Sequence, residues 1–367
     1  MANFNLTKMA VNMHCPGNVV QLDDAGLPSI LVYIPAFKNS DVLTGGDDSI
    51  HPAFIVNGVQ IPGFYYSKYQ NVVYDGKAYS LPAEKPGTYV TQENANKYCN
   101  AKGYGWHLST AVEWAAIALW CKKNGFLPKG CNDFGKDKSE SSYKAVAVEY
   151  NTNGMITHVA TGTGPITWSH DNTPSGIWDM NGNVWERMSG IRFVWGELQI
   201  LANNDAADPD NPQNETSTCW KAINASTGSL VNPESKTTDS EPKSTGNTVK
   251  INFMAESTNF MYSNAVKHRT DEGEGCPFWN VSCDSAIGDS TKKLLRALAL
   301  LPDEGVVSDE YQGDYMYANN VMAECLVNRG GGYNSYAPAG IFALDARYER
   351  SRSAANLGFR ASYIPNI

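Results

Sequence analysis

Between Gly176 and Arg187 the chain reads Gly176-Ile-Trp-Asp-Met-Asn-Gly-Asn-Val-Trp-Glu-Arg187. Asn181-Gly182 is a turn signal set among oxygen-bearing side chains at Asp179, Asn181, Asn183 and Glu186, with Trp178 and Trp185 on either side. So many oxygens around one glycine have two physical uses. They close the turn by bonding its own N–H groups, or they hold a hard cation. Both uses need a folded frame around the turn.

The chain has the means to build that frame. It is 367 residues long, 42% hydrophobic, with 9 Trp, 19 Tyr and 12 Phe, which excludes wholesale disorder. Its net charge of −9 argues against nucleic acid as a partner, because phosphate binding needs clustered Lys and Arg. No run approaches the roughly 20 apolar residues of a membrane span, so no membrane insertion is expected. The amino terminus lacks a basic start followed by an apolar block, so no secretory signal is expected. The eight cysteines include no Cys-x-x-Cys and the six histidines no close pair, so reduced thiols are expected and a zinc site is not.

Periodicity places the elements. Ile30-Leu-Val-Tyr-Ile34 and Gly63-Phe-Tyr-Tyr-Ser-Lys-Tyr69 read as strands, and Asn57-Gly58 as the turn of a hairpin. Thr91 caps a helix running to about Lys102. Thr110 and Glu113 form a capping box for a second helix, whose apolar stripe is Trp114, Ile117, Ala118 and Cys121. A last helix is expected over Ser290–Leu301, ended by Pro302. Residues 203–252 are rich in Asn, Asp, Ser, Thr and Pro and read as surface loop or insertion. The sum is an α+β chain whose parts before and after the insertion are halves of one domain.

Gly176–Arg187, Asn328-Arg-Gly-Gly-Gly332 and Asn356-Leu-Gly-Phe-Arg-Ala361, in that order, resemble the formylglycine-generating-enzyme-like (sulfatase-modifying factor) branch of the C-type lectin fold. The upstream run from Ala95 through Tyr98-Cys99 and Trp106-His-Leu-Ser-Thr to Glu113-Trp114 is similar to the same family. The resemblance implies an amino-terminal arm over 1–27 and a C-type lectin-like domain over 28–367. It sets the insertion at about 203–315 and a variable region at about 329–360.

The enzymes of that branch use a cysteine pair between the last two blocks. Here no cysteine lies between Gly332 and Leu357, and Cys325 falls ahead of the Arg329-Gly-Gly block, so no thiolate nucleophile is expected. That window instead resembles the variable region of diversity-generating-retroelement variable proteins, with an Ala339-Gly-Ile-Phe-Ala-Leu344 core. In that group an A-A-pyrimidine codon is randomised at its first two bases. Tyr333, Asn334, Ser335, Tyr336, Pro338, Asp345, Arg347, Tyr348, Arg352, Ala354 and Ala355 all belong to the resulting set. Tyr and Arg suit a binding surface, since they give large contact area at modest entropic cost. Arg347, Arg350 and Arg352 crowd the stretch, whereas Arg329 and Arg360 read as structural clamps.

The resemblance implies a ligand-binding protein and not an enzyme: a viral or phage tail adhesin carried on the virion and assembled in the host cytoplasm. Its partner would be a host cell-surface protein or glycan, and a homo-oligomer is compatible. The alternatives are a cell-surface-displayed variable protein and a formylglycine-generating-type oxidoreductase. No cofactor is required, but relatives hold calcium at the positions matching Asn181, Gly182, Val184 (through its carbonyl) and Glu186.

Overall fold

The computed structural model describes residues 6–243, 246–255, 257–270 and 274–366. Residues 1–5 of the expected arm, and 244–245, 256 and 271–273 of the expected insertion, lie outside the described residues.

The apolar runs of the first third become strands. Asn57 and Gly58, with φ of 49° and 76°, fold Ile55–Val56 back onto Val59–Gln60, the left-handed pair that a tight hairpin needs. A five-stranded sheet runs in the order Val19–Leu22, Pro28–Pro35, Gly63–Ser67, Ala361–Tyr363, Trp106–Leu108. The carboxyl-terminal strand is therefore inserted between early ones.

Thr91 accepts the Asn94 N–H and starts the helix Gln92–Asn100. Thr110 Oγ1 accepts from the Glu113 N–H while the Glu113 carboxylate accepts from the Thr110 N–H, both at 3.1 Å, opening the helix Ala111–Asn124. The sequence marks one apolar stripe on this helix, but every residue from Ala111 to Leu119 is buried. It packs in one cluster with Val32 and Phe64 of the small sheet and Met188, Val327 and Ile341 of the large one. A helix covered from both sides needs small or apolar residues all round, and its four alanines supply them.

The last helix is shorter than expected, Asp289–Ala297 rather than Ser290–Leu301. Ala299 turns left-handed (φ 49°) and the Leu300 N–H bonds the Leu295 carbonyl. Arg329, from a distant strand, donates Nη2 to the carbonyls of Leu298 and Ala299 at 3.2 and 3.1 Å. The helix stops at this left-handed turn, ahead of Pro302, with the Ala297 carbonyl taken by His51 and the two carbonyls just past the end by the buried guanidinium.

Residues 203–252 also differ from a plain surface loop. They contain the strand Lys221–Ile223 paired with Leu230–Val231 and the start of Lys250–Phe253, and they bury Trp220, Ile223, Val249 and Ile251. Glu197 holds the polar stretch in place, accepting from Thr248 Oγ1 and the N–H groups of Glu234 and Ser235. Ile223, Val249 and Ile251 extend the main core, whereas Trp220 packs with Leu201 and Ala206 in a small cluster of its own.

The large sheet runs Glu274–Pro277, Tyr315–Ala318, Gly340–Tyr348, Cys325–Gly330, Trp185–Val194, Glu197–Ile200, Lys250–Phe253, Phe260–Ser263, Ser282–Cys283. Its centre, Trp185–Val194, is buried at every position. The register against Cys325–Gly330 shifts between Arg187 and Arg192, and Gly190 (φ 83°) lies in that shift, where a Cβ would come within 2.8 Å of Ala206. Leu357–Phe359 pairs parallel to the start of this strand, and the chain then crosses at Arg360 into the small sheet. All eight cysteines are unpaired, and Cys99, Cys121, Cys131, Cys276 and Cys325 are buried.

Candidate binding face

The strand Gly340–Tyr348, together with the loops before and after it, carries all the expected variable residues. Its backbone is tied down by residues outside that set. Trp114 Nε1 donates to the Ile341 carbonyl (2.7 Å), and Asp314 Oδ2 accepts the Phe342 N–H (2.7 Å). Glu274–Pro277 of the insertion pairs with Tyr315–Ala318, which pairs with Gly340–Tyr348, so the insertion braces this strand from outside.

The loop after the strand is clamped by two arginines. Arg187 is fully buried; it donates to the Val90 carbonyl (2.8 Å) and to the Arg352 carbonyl. Arg350 grips Glu324 through Nε (2.6 Å) and Nη2 (2.7 Å) and reaches Glu93 through Nη1 (3.0 Å). Burial disfavours its charge, but the bonds from Glu324 and Glu93 more than offset this and raise its pKa. Arg350 is thus an anchor, although in the sequence it looks like one more surface arginine.

The expected variable side chains fall into two neighbouring groups. Asn334 and Tyr336 are exposed at the tip of the first loop, Ser335 and Pro338 are half-buried, and Tyr333 packs against Phe134 and His158. His158 Nε2 donates to the Ala355 carbonyl (2.9 Å), so it joins this loop to the second one. Asp345, Arg347, Tyr348, Arg352 and Ala354 line a shallow cavity of about 110 Å³ floored by Trp185 and Leu357. Arg347 lies 4.0 Å from the ring centre of Tyr317, and Arg352 lies 4.8 Å from that of Tyr348, a row of alternating rings and cations.

Asp345 departs from the outward placement expected of the set. It is buried, and both its oxygens are taken by Arg347, at 2.9 and 2.7 Å. Its role is to orient Arg347, whose charge it stabilises against the cost of burial. The structure also adds Phe134, His158, Tyr315 and Tyr317 to the face. The period-two pattern Tyr315-Met-Tyr317 was a legible signal of a strand presenting two rings together. Phe134 and His158 carry no local signal.

The turn at Asn181-Gly182 uses its oxygens on the protein itself. Glu186 is buried and paired with Arg360 at 2.7 and 2.9 Å. Gln70 Nε2 sits among the carbonyls of Asp179 (3.1 Å), Gly182 (3.3 Å) and Val184 (3.3 Å) and Glu186 Oε1 (3.0 Å). Asn181 turns away to the Pro128 carbonyl and Asn132. Calcium needs ~6–8 oxygens at about 2.3–2.6 Å. An amide nitrogen occupies the point where the oxygens of Gly182, Val184 and Glu186 meet, so these residues do not fit the ion. Arg329 and Arg360 are the structural clamps expected of them; Arg360 also donates to the carbonyls of Ser67, Lys68 and Trp178.

Residues 54–196 match the family model of the sulfatase-modifying factor enzyme 1-like domain. The fold is α+β and C-type-lectin-like. The matched segment holds both capped helices and the Gly176–Arg187 block, whereas the Arg329-Gly-Gly and Gly358-Phe-Arg blocks lie beyond it. No curated protein matches the chain. Among solved structures, the Major Tropism Determinant U1, P3c and M1 variants each align at 10% identity over 94% of this chain and 71% of theirs, with TM-scores of 0.28, 0.29 and 0.28.

No helix among the described residues is long and apolar enough to cross a membrane. No group of three or more His, Cys, Asp or Glu among them is placed to hold a metal. The Cys325 thiol nearest the variable strand is buried and its pKa is pushed well up by that burial, the reverse of what a nucleophile needs.

Proposed function

We propose that this chain is a receptor-binding protein, not an enzyme. The face formed by residues 333–338 and 345–355 would bind a host-surface protein or glycan, and the molecule would serve as a virion tail component. One observation carries the reading. The strand and the second loop are fixed by Trp114, Arg187, Asp314 and Arg350, and the first loop by the carbonyls of Asn132 and Asn183, which accept the Tyr336 and Tyr333 N–H groups at 2.8 and 3.0 Å; none of these anchoring residues belongs to the variable set. Side chains such as Asn334, Tyr336 and Arg352 are therefore free to change while the frame stays. Modest affinity per face would be multiplied by many copies on one particle.

The test is exchange of Asn334, Tyr336, Tyr348 and Arg352 for other residues of the randomised set, followed by binding to a panel of candidate host cells. The reading requires altered cell preference with an unchanged melting temperature. Identical binding across exchanged forms would reject it.

A further inference from the structure

Beside the first variable loop, on the other side of Ala337 and Ala339, lies a second and larger cavity of about 580 Å³. Leu127, Pro128, Ala337, Ala339 and Ile341 make its walls apolar. The polar residues deep within it are nearly all spent. Asn132 donates to Asp137 and Asn181, Asn181 donates to Pro128, and Asp137 accepts from Asn132, Gly130 and Ser139.

Asp314 is the exception. It is 4% exposed and lines the cavity. Its Oδ2 accepts the Phe342 N–H, but among the described residues no donor reaches Oδ1. The carboxylate lies flat against Gly340, where a Cβ would come within 1.8 Å of Oδ1. Burial holds this carboxyl well above the ordinary aspartate range, with the Phe342 N–H only partly opposing it. The charged groups facing it are Asp309 and Arg329, with Asp137, Lys129 and Lys138 around the cavity.

We propose that this cavity takes a basic side chain of a partner protein, a lysine or arginine whose alkyl stem lies along the apolar wall and whose cation pairs with Asp314 Oδ1. An apolar slot ending in one open carboxylate oxygen rewards both halves of such a side chain: the stem leaves water, and the buried acid, whose neighbour Arg329 is spent on the carbonyls of Phe342, Leu298 and Ala299, gains a directly bonded cation. Lys129, Lys138 and Gln312 stand where the partner's backbone would pass. The protein nature of the partner rests on the receptor-binding reading, whereas the chemistry of the slot does not.

The experiment titrates the full chain with N-acetyl-lysine, N-acetyl-arginine and N-acetyl-norleucine methylamides by calorimetry. At least one basic amide should bind saturably and at least tenfold more tightly than norleucine, the neutral isostere. Asp314→Asn, which keeps the contact to Phe342, should erase that preference without lowering the melting temperature. In the unaltered chain, binding of the basic amide should weaken as pH is lowered, because the raised Asp314 carboxyl must be ionised to pair. Equal affinity for norleucine overturns the proposal without using the variant. If a basic amide binds while exchanged variable residues leave host preference unchanged, the receptor reading fails and the slot stands.

Discussion

Arg360 and Glu186 join the two sheets through a pair of charge-assisted bonds at a point where neither residue touches water. Glu186 lies at the start of the central strand of the large sheet, and Arg360 is the single residue linking Leu357–Phe359 of that sheet to Ala361–Tyr363 of the other. The pair therefore fixes how the chain crosses between sheets. Burial pushes the Glu186 carboxyl up and Arg360 pulls it back. Glu186→Gln should cost about 3–5 kcal/mol, since it leaves a buried guanidinium unmatched. Urea unfolding of the variant against the unaltered chain measures this, and a loss under about 1 kcal/mol would show the clamp to be dispensable.

Gln70 gives a prediction about cations. Its amide nitrogen fills the centre of four oxygens, so adding calcium or a chelator should leave the melting temperature of the unaltered chain unchanged. Gln70→Leu should destabilise by about 1–3 kcal/mol, because a carboxylate oxygen and three carbonyls lose their donor. A melting temperature that falls on chelation would mean a cation, not the amide, holds this turn.

The variable face separates residues that look alike in sequence. Arg352 is exposed, and Tyr336 is 43% exposed with its backbone left-handed at φ 55°. Arg352→Ser and Tyr336→Asn should each alter stability by no more than about 0.5 kcal/mol, asparagine being at ease in the left-handed region. Arg350→Ser, two residues from Arg352, should cost about 2 kcal/mol, since it removes two charge-assisted bonds from the buried Glu324 carboxylate and leaves it to Arg192 alone. Thermal unfolding of the three variants side by side is the measurement, and equal effects at Arg350 and Arg352 would contradict the division into anchor and display.

Those contrasts show what was readable beforehand. The hairpin at Asn57-Gly58, both helix caps and the ordered blocks at Gly176, Arg329 and Gly358 were legible because each is written in adjacent residues under local rules. Arg350 was not, because its anchor role depends on Glu324 and Glu93, which are distant in sequence. The end of the last helix was hidden for the same reason, since the carbonyls at and just past it are taken by His51 and Arg329, both distant in sequence. The strands within 203–252 were masked by long polar connections, and the amide at Gln70 lies more than a hundred residues from the turn it fills.

Two buried histidines set the acid limit. His51 accepts from the Ala53 N–H at Nδ1 (3.2 Å) and faces the Ala297 carbonyl with Nε2 (2.8 Å), an arrangement for the neutral ring; His170 accepts the Ile177 N–H at Nδ1 (2.8 Å). Burial lowers both from 6.5 to about 4, and for His51 the Ala297 carbonyl opposes the shift. An unfolded chain thus takes up protons below pH 6.5 that the folded chain refuses until about pH 4. The stability these rings protect is complete above pH 6.5 and is lost as pH falls through that window, roughly 3 kcal/mol for each. Asp179 works in the other direction. Its carboxyl is raised by burial from 3.8 to about 6, so its contribution is complete below 3.8 and is lost as pH rises through 6. Acidification from pH 6.5 to 4 therefore sets the loss from the two rings against a gain from Asp179 and from the other buried carboxyls raised in the same direction, Asp314 and Glu186. Measured against the unaltered chain, the urea midpoint across this range should be shifted towards stability at the acid end by His51→Gln, and should fall more steeply for Asp179→Asn, which lacks its opposing gain. A His51→Gln midpoint that tracks the unaltered chain across the whole range would mean that this ring accepts its proton inside the fold.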